Sequence, residues 1–124
     1  MASVLLVEDT AELRDLLARG LQLSGFVVTT ADNGTTALKA LGADRFDVLV
    51  TDIVMPDMEG LELIRTARKS YPGMAIIAIS GGGHAISESY LELAARFGAT
   101  RTLQKPFGVD ALVTAIEDVL ASRP

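Results

Sequence analysis

"SVLLVEDTAELRDLLARGLQLSGFVVTT", residues Ser3 to Thr30, decides the fold because it encloses a strand, a helix and a second strand. "SVLLV" is a short, nearly continuous apolar run, the pattern of a strand covered on both faces. Leu13, Leu16, Leu17, Gly20 and Leu21 then fall at i, i+3, i+4, i+7 and i+8, one face of a helix that Gly25 can end. "FVVTT" begins the next strand.

The same alternation continues outward along the chain. "FDVLVT", "MAIIAIS" and "ATRTLQ" read as three further strands. Helical patterns lie between and after them: Ala37, Leu38 and Leu41 before Gly42; Leu61, Ile64 and Ala67 before Pro72; Ile86, Tyr90, Ala94 and Phe97 before Gly98. The last runs from Val109 through Leu112, Val113, Ile116 and Val119 to Leu120. Strict βα alternation argues for an α/β protein with a parallel sheet, right-handed crossovers leave few topologies for five strands, and a doubly wound sheet in the order 2-1-3-4-5 is the one expected. In such sheets chemistry collects at the carboxyl ends of the strands where the order reverses, here between strands 1 and 3.

With 124 residues, 49% apolar and 22% charged, the chain fits one domain spanning 1–124 with a core of its own. Eleven basic residues against sixteen acidic ones, a net charge of −5, supply no field for a phosphate backbone, so no direct nucleic-acid partner is expected. The absence of cysteine removes disulfides, thiolate nucleophiles and zinc–thiolate sites. "MASVLLVED" lacks the basic region of a signal peptide. The longest apolar run, Met74 to Ile79, is far short of the ~20 residues that span a bilayer. No membrane insertion and a cytoplasmic location are expected.

Each strand end beside the switch point carries a reactive group: Glu8 and Asp9 after strand 1, Asp52 after strand 3, Ser80 after strand 4, and Lys105 with Pro106 after strand 5. Strand 2, ending in Thr30, offers nothing comparable. Converging carboxylates repel unless a cation joins them, and hard oxygen donors of this kind suit Mg²⁺ or Mn²⁺. A plainer role for Asp9 or Thr10 is to cap the first helix, with Glu8 complementing its dipole. Asp52 resists such an explanation, because desolvating an acid at the end of "DVLVT" has no evident local compensation, whereas Asp57 beyond Pro56 can serve as a helix cap. Lys105 balances three carboxylates and a divalent metal, leaving room for a phosphoryl group between metal and ammonium.

Together, "VED", "TDIVMPDMEG", "AISG" and "LQKPF" after the first, third, fourth and fifth strands resemble the receiver domain of bacterial two-component response regulators, of flavodoxin-like (βα)5 fold, along essentially the whole chain. The resemblance implies that Asp52 is the phosphoacceptor, supplied by a phosphohistidine on a sensor histidine kinase or histidine phosphotransfer protein. It implies Mg²⁺ held by Glu8, Asp9, Asp52 and the backbone carbonyl of Val54. Ser80 and Lys105 would bind phosphoryl oxygens, and the Lys105-Pro106 bond would be cis, a geometry that proline makes accessible. The chain would promote transfer to its own Asp52 without being a turnover enzyme, and signal to a downstream protein target that the sequence does not identify.

The match has departures. Thr102 stands where many receivers carry Tyr or Phe, so the rotamer change coupled to that ring does not carry over. Val54 and Gly82 have no side chain able to hydrogen-bond an attacking water, which implies slow loss of the phosphoryl group. The glycines of "SGGGH" lack the Gly-Lys-Ser/Thr of a P-loop and read as a mobile loop. His84, the only histidine, reads as a solvated residue near the start of the fourth helix. Only "ASRP" follows Leu120, so no effector domain is expected, and the output is a protein contact or a step in a phosphorelay. The alternatives are an interaction module of the same fold that signals without phosphorylation, disfavoured because every acidic, hydroxyl and lysine position is kept, and a Mg²⁺-dependent phosphatase or nucleotidyl-transfer enzyme. The latter normally uses a tight Asp-x-Asp pair that Asp52 and Asp57 do not form.

Overall fold

A computed structural model describes residues 1–53, 60–81 and 92–122. Five strands alternate with helices: β1 (Ser3–Val7), α1 (Ala11–Leu23), β2 (Val27–Ala31), α2 (Gly34–Ala43), β3 (Val48–Asp52), α3 (Gly60–Ser70), β4 (Ala75–Ser80), a helix described over residues 92–97 (α4), β5 (Arg101–Gln104) and α5 (Val109–Ala121). The strands form one sheet in the order β2-β1-β3-β4-β5. Every neighbouring pair is parallel.

Successive residues of the three central strands point to opposite faces, and each face has its own core. Leu5, Val7, Leu49, Ile76 and Ala78 pack with α2, α3 and Ala94 of α4 on one side. Val4, Leu6, Val48, Val50, Ile77 and Ile79 pack with α1 and α5 on the other. Strands β1, β3 and β4 are therefore almost wholly buried, while the edge strands β2 and β5 are largely not. Apolar packing thus fixes the three strands that carry Glu8, Asp52 and Ser80 at their ends.

Local chemistry sets the helix ends. Gly25, at φ 97°, ends α1, with its N–H bonded to Gln22 O and the N–H of Phe26 returning to Leu21 O. Gly98, at φ 125°, ends α4 in the same way, and Ala99 N–H returns to Ala94 O. Asn33 caps α2, its side chain accepting from Thr36 N–H at 2.8 Å.

Three details differ from the pattern expected of the sequence. Leu16, counted on the inner face of α1, is 62% exposed, while Ala18 is buried. The helix is turned so that Leu13, Leu17, Ala18 and Leu21 meet the core, because α1 also packs against α5, where Gly20 sits close to Val109. Helix α2 does not stop at Gly42 but runs to Ala43, with Asp44 N–H still bonded to Ala40 O. Strand bounds shift by one or two residues, so β2 ends at Ala31 rather than Thr30 and β5 begins at Arg101. The readings placed on Val54, Asp57, Gly82 and His84 lie outside the described residues. Among the described residues no helix is long and apolar enough to cross a membrane.

Opposite the strand ends that carry the reactive groups, Arg68 of α3 fastens the base of the molecule. Its Nε and Nη2 donate to Gly98 O at 3.0 and 2.8 Å, and its Nη1 donates to Pro72 O and Met74 O at 2.8 and 2.7 Å. Nη2 also reaches Thr100 Oγ1 at 3.3 Å. These acceptors are all neutral, and partial burial pushes the guanidinium pKa below its ordinary value. One turn earlier, Arg65 lies 5.9 Å above the ring of Phe97.

Candidate functional site

The parallel register carries β1, β3 and β4 to a common edge, with Val7 beside Thr51 and Asp52 beside Ile79. Glu8 continues from β1, with its N–H bonded to Ala31 O, and Ile53 N–H bonds Ile79 O. Beyond β5, Lys105 N–H donates to Ser80 O at 2.8 Å, which ties the start of the Lys105-Pro106 turn to the end of β4. The Lys105-Pro106 peptide is cis.

Glu8, Asp9 and Asp52 meet at this edge, each offering a carboxylate oxygen within 4.8 Å of the others. Glu8 is fully buried and Asp52 is buried, whereas Asp9 faces solvent. The Lys105 ammonium bridges two of them, 2.9 Å from Glu8 Oε1 and 3.0 Å from Asp52 Oδ2. Burial works against the charged ammonium and is the largest single influence on it, but the hydrogen bonds and attraction to Glu8 and Asp52 together outweigh it. The Lys105 pKa is consequently raised. A raised lysine pKa means that these pairs stabilise the fold fully below the ordinary lysine value, and that this contribution disappears only as pH climbs through the higher folded value.

Asp9 responds oppositely. Desolvation first, then its hydrogen bond and repulsion with Glu8, push its carboxyl pKa up, against weaker opposing contributions from its own backbone and from Lys105. Three carboxylates outnumber the one ammonium in this cluster, and repulsion from Glu8 adds to the desolvation that raises the Asp9 pKa. Hard oxygen donors with surplus negative charge are the donor set that a divalent cation such as Mg²⁺ requires. The residues present therefore fit such an ion.

Two details of the site were not anticipated. Thr10 occupies the N-cap position of α1, but its hydroxyl makes no capping bond. Its N–H is taken instead by Glu8 Oε2 at 3.0 Å, so the second oxygen of the same carboxylate holds the turn. Arg14, one turn into α1, donates from Nη1 to Glu8 O at 3.0 Å. Its only trace in the sequence is a cation on the first turns of the helix that follows the acids. Ser80 is buried at the end of β4, its hydroxyl 3.4 Å from Gly81 O. Thr102 is half-buried in β5 beside Ala78.

A doubly wound parallel sheet with acids and a lysine gathered where the strand order reverses defines a flavodoxin-like α/β protein with its site at the switch point. The model of the response regulator receiver domain matches residues 4–117. The chain belongs to that family. It is 38% identical over 120 residues to the response regulator receiver protein CpdR of Brucella abortus, covering 97% of this chain and 98% of CpdR. It is also 38% identical over 122 residues to the sensor kinase CckA of the same organism, covering 96% of this chain but only 12% of CckA. The chemotaxis response regulator CheY4 of Vibrio cholerae superposes with a TM-score of 0.86 at 31% identity, over 96% of this chain and 98% of that one.

Proposed function

We propose that this chain is a stand-alone cytoplasmic receiver that accepts a phosphoryl group on Asp52 from a phosphohistidine of a sensor histidine kinase or histidine phosphotransfer protein. The observation that carries this reading is the Lys105 ammonium seated between Glu8 and Asp52 while Asp9 converges on the same point. A carboxylate oxygen of Asp52 attacks phosphorus in line, the bond from phosphorus to the donor imidazole breaks, and an acyl phosphate forms on Asp52. Lys105 then turns from the carboxylate to a phosphoryl oxygen, and the Ser80 hydroxyl donates to another.

Glu8, Asp9 and Asp52 would hold Mg²⁺, with Mn²⁺ an acceptable substitute, and the backbone carbonyl of Val54 is proposed as a further ligand. When bound, the ion neutralises carboxylate and phosphoryl charge. Burial of Glu8 and Asp52 keeps the chain's own electrostatics strong at the reacting atom. The product is a modified Asp52 rather than a released compound, so the protein acts as a signal carrier that presents its phosphorylated form to a downstream protein. The likeness to CpdR over nearly the whole of both chains supports a receiver acting alone, and the likeness to part of a sensor kinase suits a phosphotransfer setting.

Incubation with acetyl phosphate and Mg²⁺ followed by intact-mass spectrometry tests the reading. Wild type should gain one phosphoryl group and Asp52→Ala none. An unmodified wild type would favour a module that signals without phosphorylation, and an adduct that survives Asp52→Ala would refute Asp52 as the acceptor.

A further inference from the structure

We infer that Gly60 is a positioning residue for Asp52, a role that rests on Asp52 being the phosphoacceptor. Gly60 opens α3 and is buried. A Cβ at this position would collide with the carbonyl oxygen of Asp52 and come within 2.6 Å of Ile53 Cα and 2.7 Å of Ile53 O. These are backbone atoms of the acceptor and its neighbour, which cannot swing aside as a side chain can. Gly20 and Gly98 instead face the side chains of Val109 and Arg68, and Gly42, Gly73, Gly81 and Gly108 face open space. The atoms that a Cβ at Gly60 would meet make the requirement one for space.

The same short segment is held on its other sides. Thr51 Oγ1 donates to Asp52 O at 2.9 Å, Ile53 N–H donates to Ile79 O at 2.9 Å, and Gly60 N–H donates to Ile53 O. The first turn of α3 therefore presses directly on the peptide units that aim the Asp52 carboxylate. Both in-line attack and convergence with Glu8 and Asp9 depend on that aim. A displacement near 1 Å at a reacting group costs up to about 100-fold in rate.

Gly60→Ala separates this role from general stability. Alanine is the better helix former, so it would stabilise α3 if the space could yield. The expected result is a folded variant, by NMR dispersion, with Mg²⁺ affinity at least about tenfold weaker in a titration without phosphodonor and phosphoryl uptake from acetyl phosphate at saturating Mg²⁺ slower by about tenfold or more. Gly98→Ala serves as the control: its positive φ and contact with Arg68 make it destabilising, yet its Mg²⁺ affinity and uptake rate should stay within about twofold of wild type. If Gly60→Ala unfolds in buffer, the measurements are repeated in trimethylamine N-oxide against wild type in the same solvent. A folded Gly60→Ala with Mg²⁺ affinity and uptake near wild type overturns the inference, as does a variant that stays unfolded in the osmolyte. Failure of wild type itself to label would refute Asp52 as acceptor while the Mg²⁺ titration still reports on Gly60.

Discussion

The two oxygens of Glu8 serve different elements: Oε2 takes the Thr10 N–H and Oε1 takes the Lys105 ammonium. Asp9 has no such division of roles, and desolvation together with its hydrogen bond to and repulsion from Glu8 raises its pKa. Because the folded state disfavours its ionised form, the penalty is absent below the unfolded carboxyl pKa, about 3.9, and develops as pH rises through the higher folded value. Asp9→Asn should therefore raise the urea midpoint of the metal-free protein near pH 7, with the gain closing as pH falls below about 4. Equal midpoints at pH 7 in the presence of a chelator would contradict this. The convergence of Glu8, Asp9, Asp52 and Lys105 was legible in the sequence because the four charged groups coincide at neighbouring strand ends, while Glu8, Asp9 and Lys105 taken singly have plainer readings as dipole partner, helix cap and surface lysine. The division of labour within Glu8 was not, since only the folded turn shows its second carboxylate oxygen accepting from the Thr10 N–H.

At the scale of elements, α1 shows what periodicity leaves out. A leucine count places Leu16 inward, but packing against two elements at once, the sheet and α5, turns the helix toward Ala18, whose small side chain contributes little to an apolar pattern. Arg68 is the complementary case, a cation on an amphipathic helix that reads as solvated surface yet donates to the carbonyls of Pro72, Met74 and Gly98 and to the Thr100 hydroxyl. Nothing in spacing reveals that backbone carbonyls at separations of four, six and thirty residues supply the acceptors. Arg68→Ala should cost about 1–3 kcal/mol in chemical denaturation, because it leaves partly buried carbonyls unpaired. Arg68→Lys should recover little, since one ammonium cannot reproduce the planar fork. Full recovery by lysine would show that charge alone matters there.

For the whole molecule, alternation and the apolar runs at β1, β3 and β4 pointed to a doubly wound sheet covered on both faces, whereas strand bounds blurred by one or two residues at central and edge strands alike. The site lies at one end of this sheet, so folding must hold like charges together. A divalent cation should repay part of that cost. Mg²⁺ at about 100 times its dissociation constant should stabilise the folded chain by about 2.7 kcal/mol, read as a rise in unfolding free energy. Asp9→Asn should lose most of this rise, and an equal response in both proteins would place the ion elsewhere. Far from these charges, Asp44 and Arg45 are exposed and follow α2 at the opposite end of the strands. Since the chain contains neither cysteine nor tryptophan, one cysteine introduced at Asp44 would give a uniquely addressable handle. A dye or tether attached there would report on the molecule, or hold it to a surface, with the reactive edge left open to visitors.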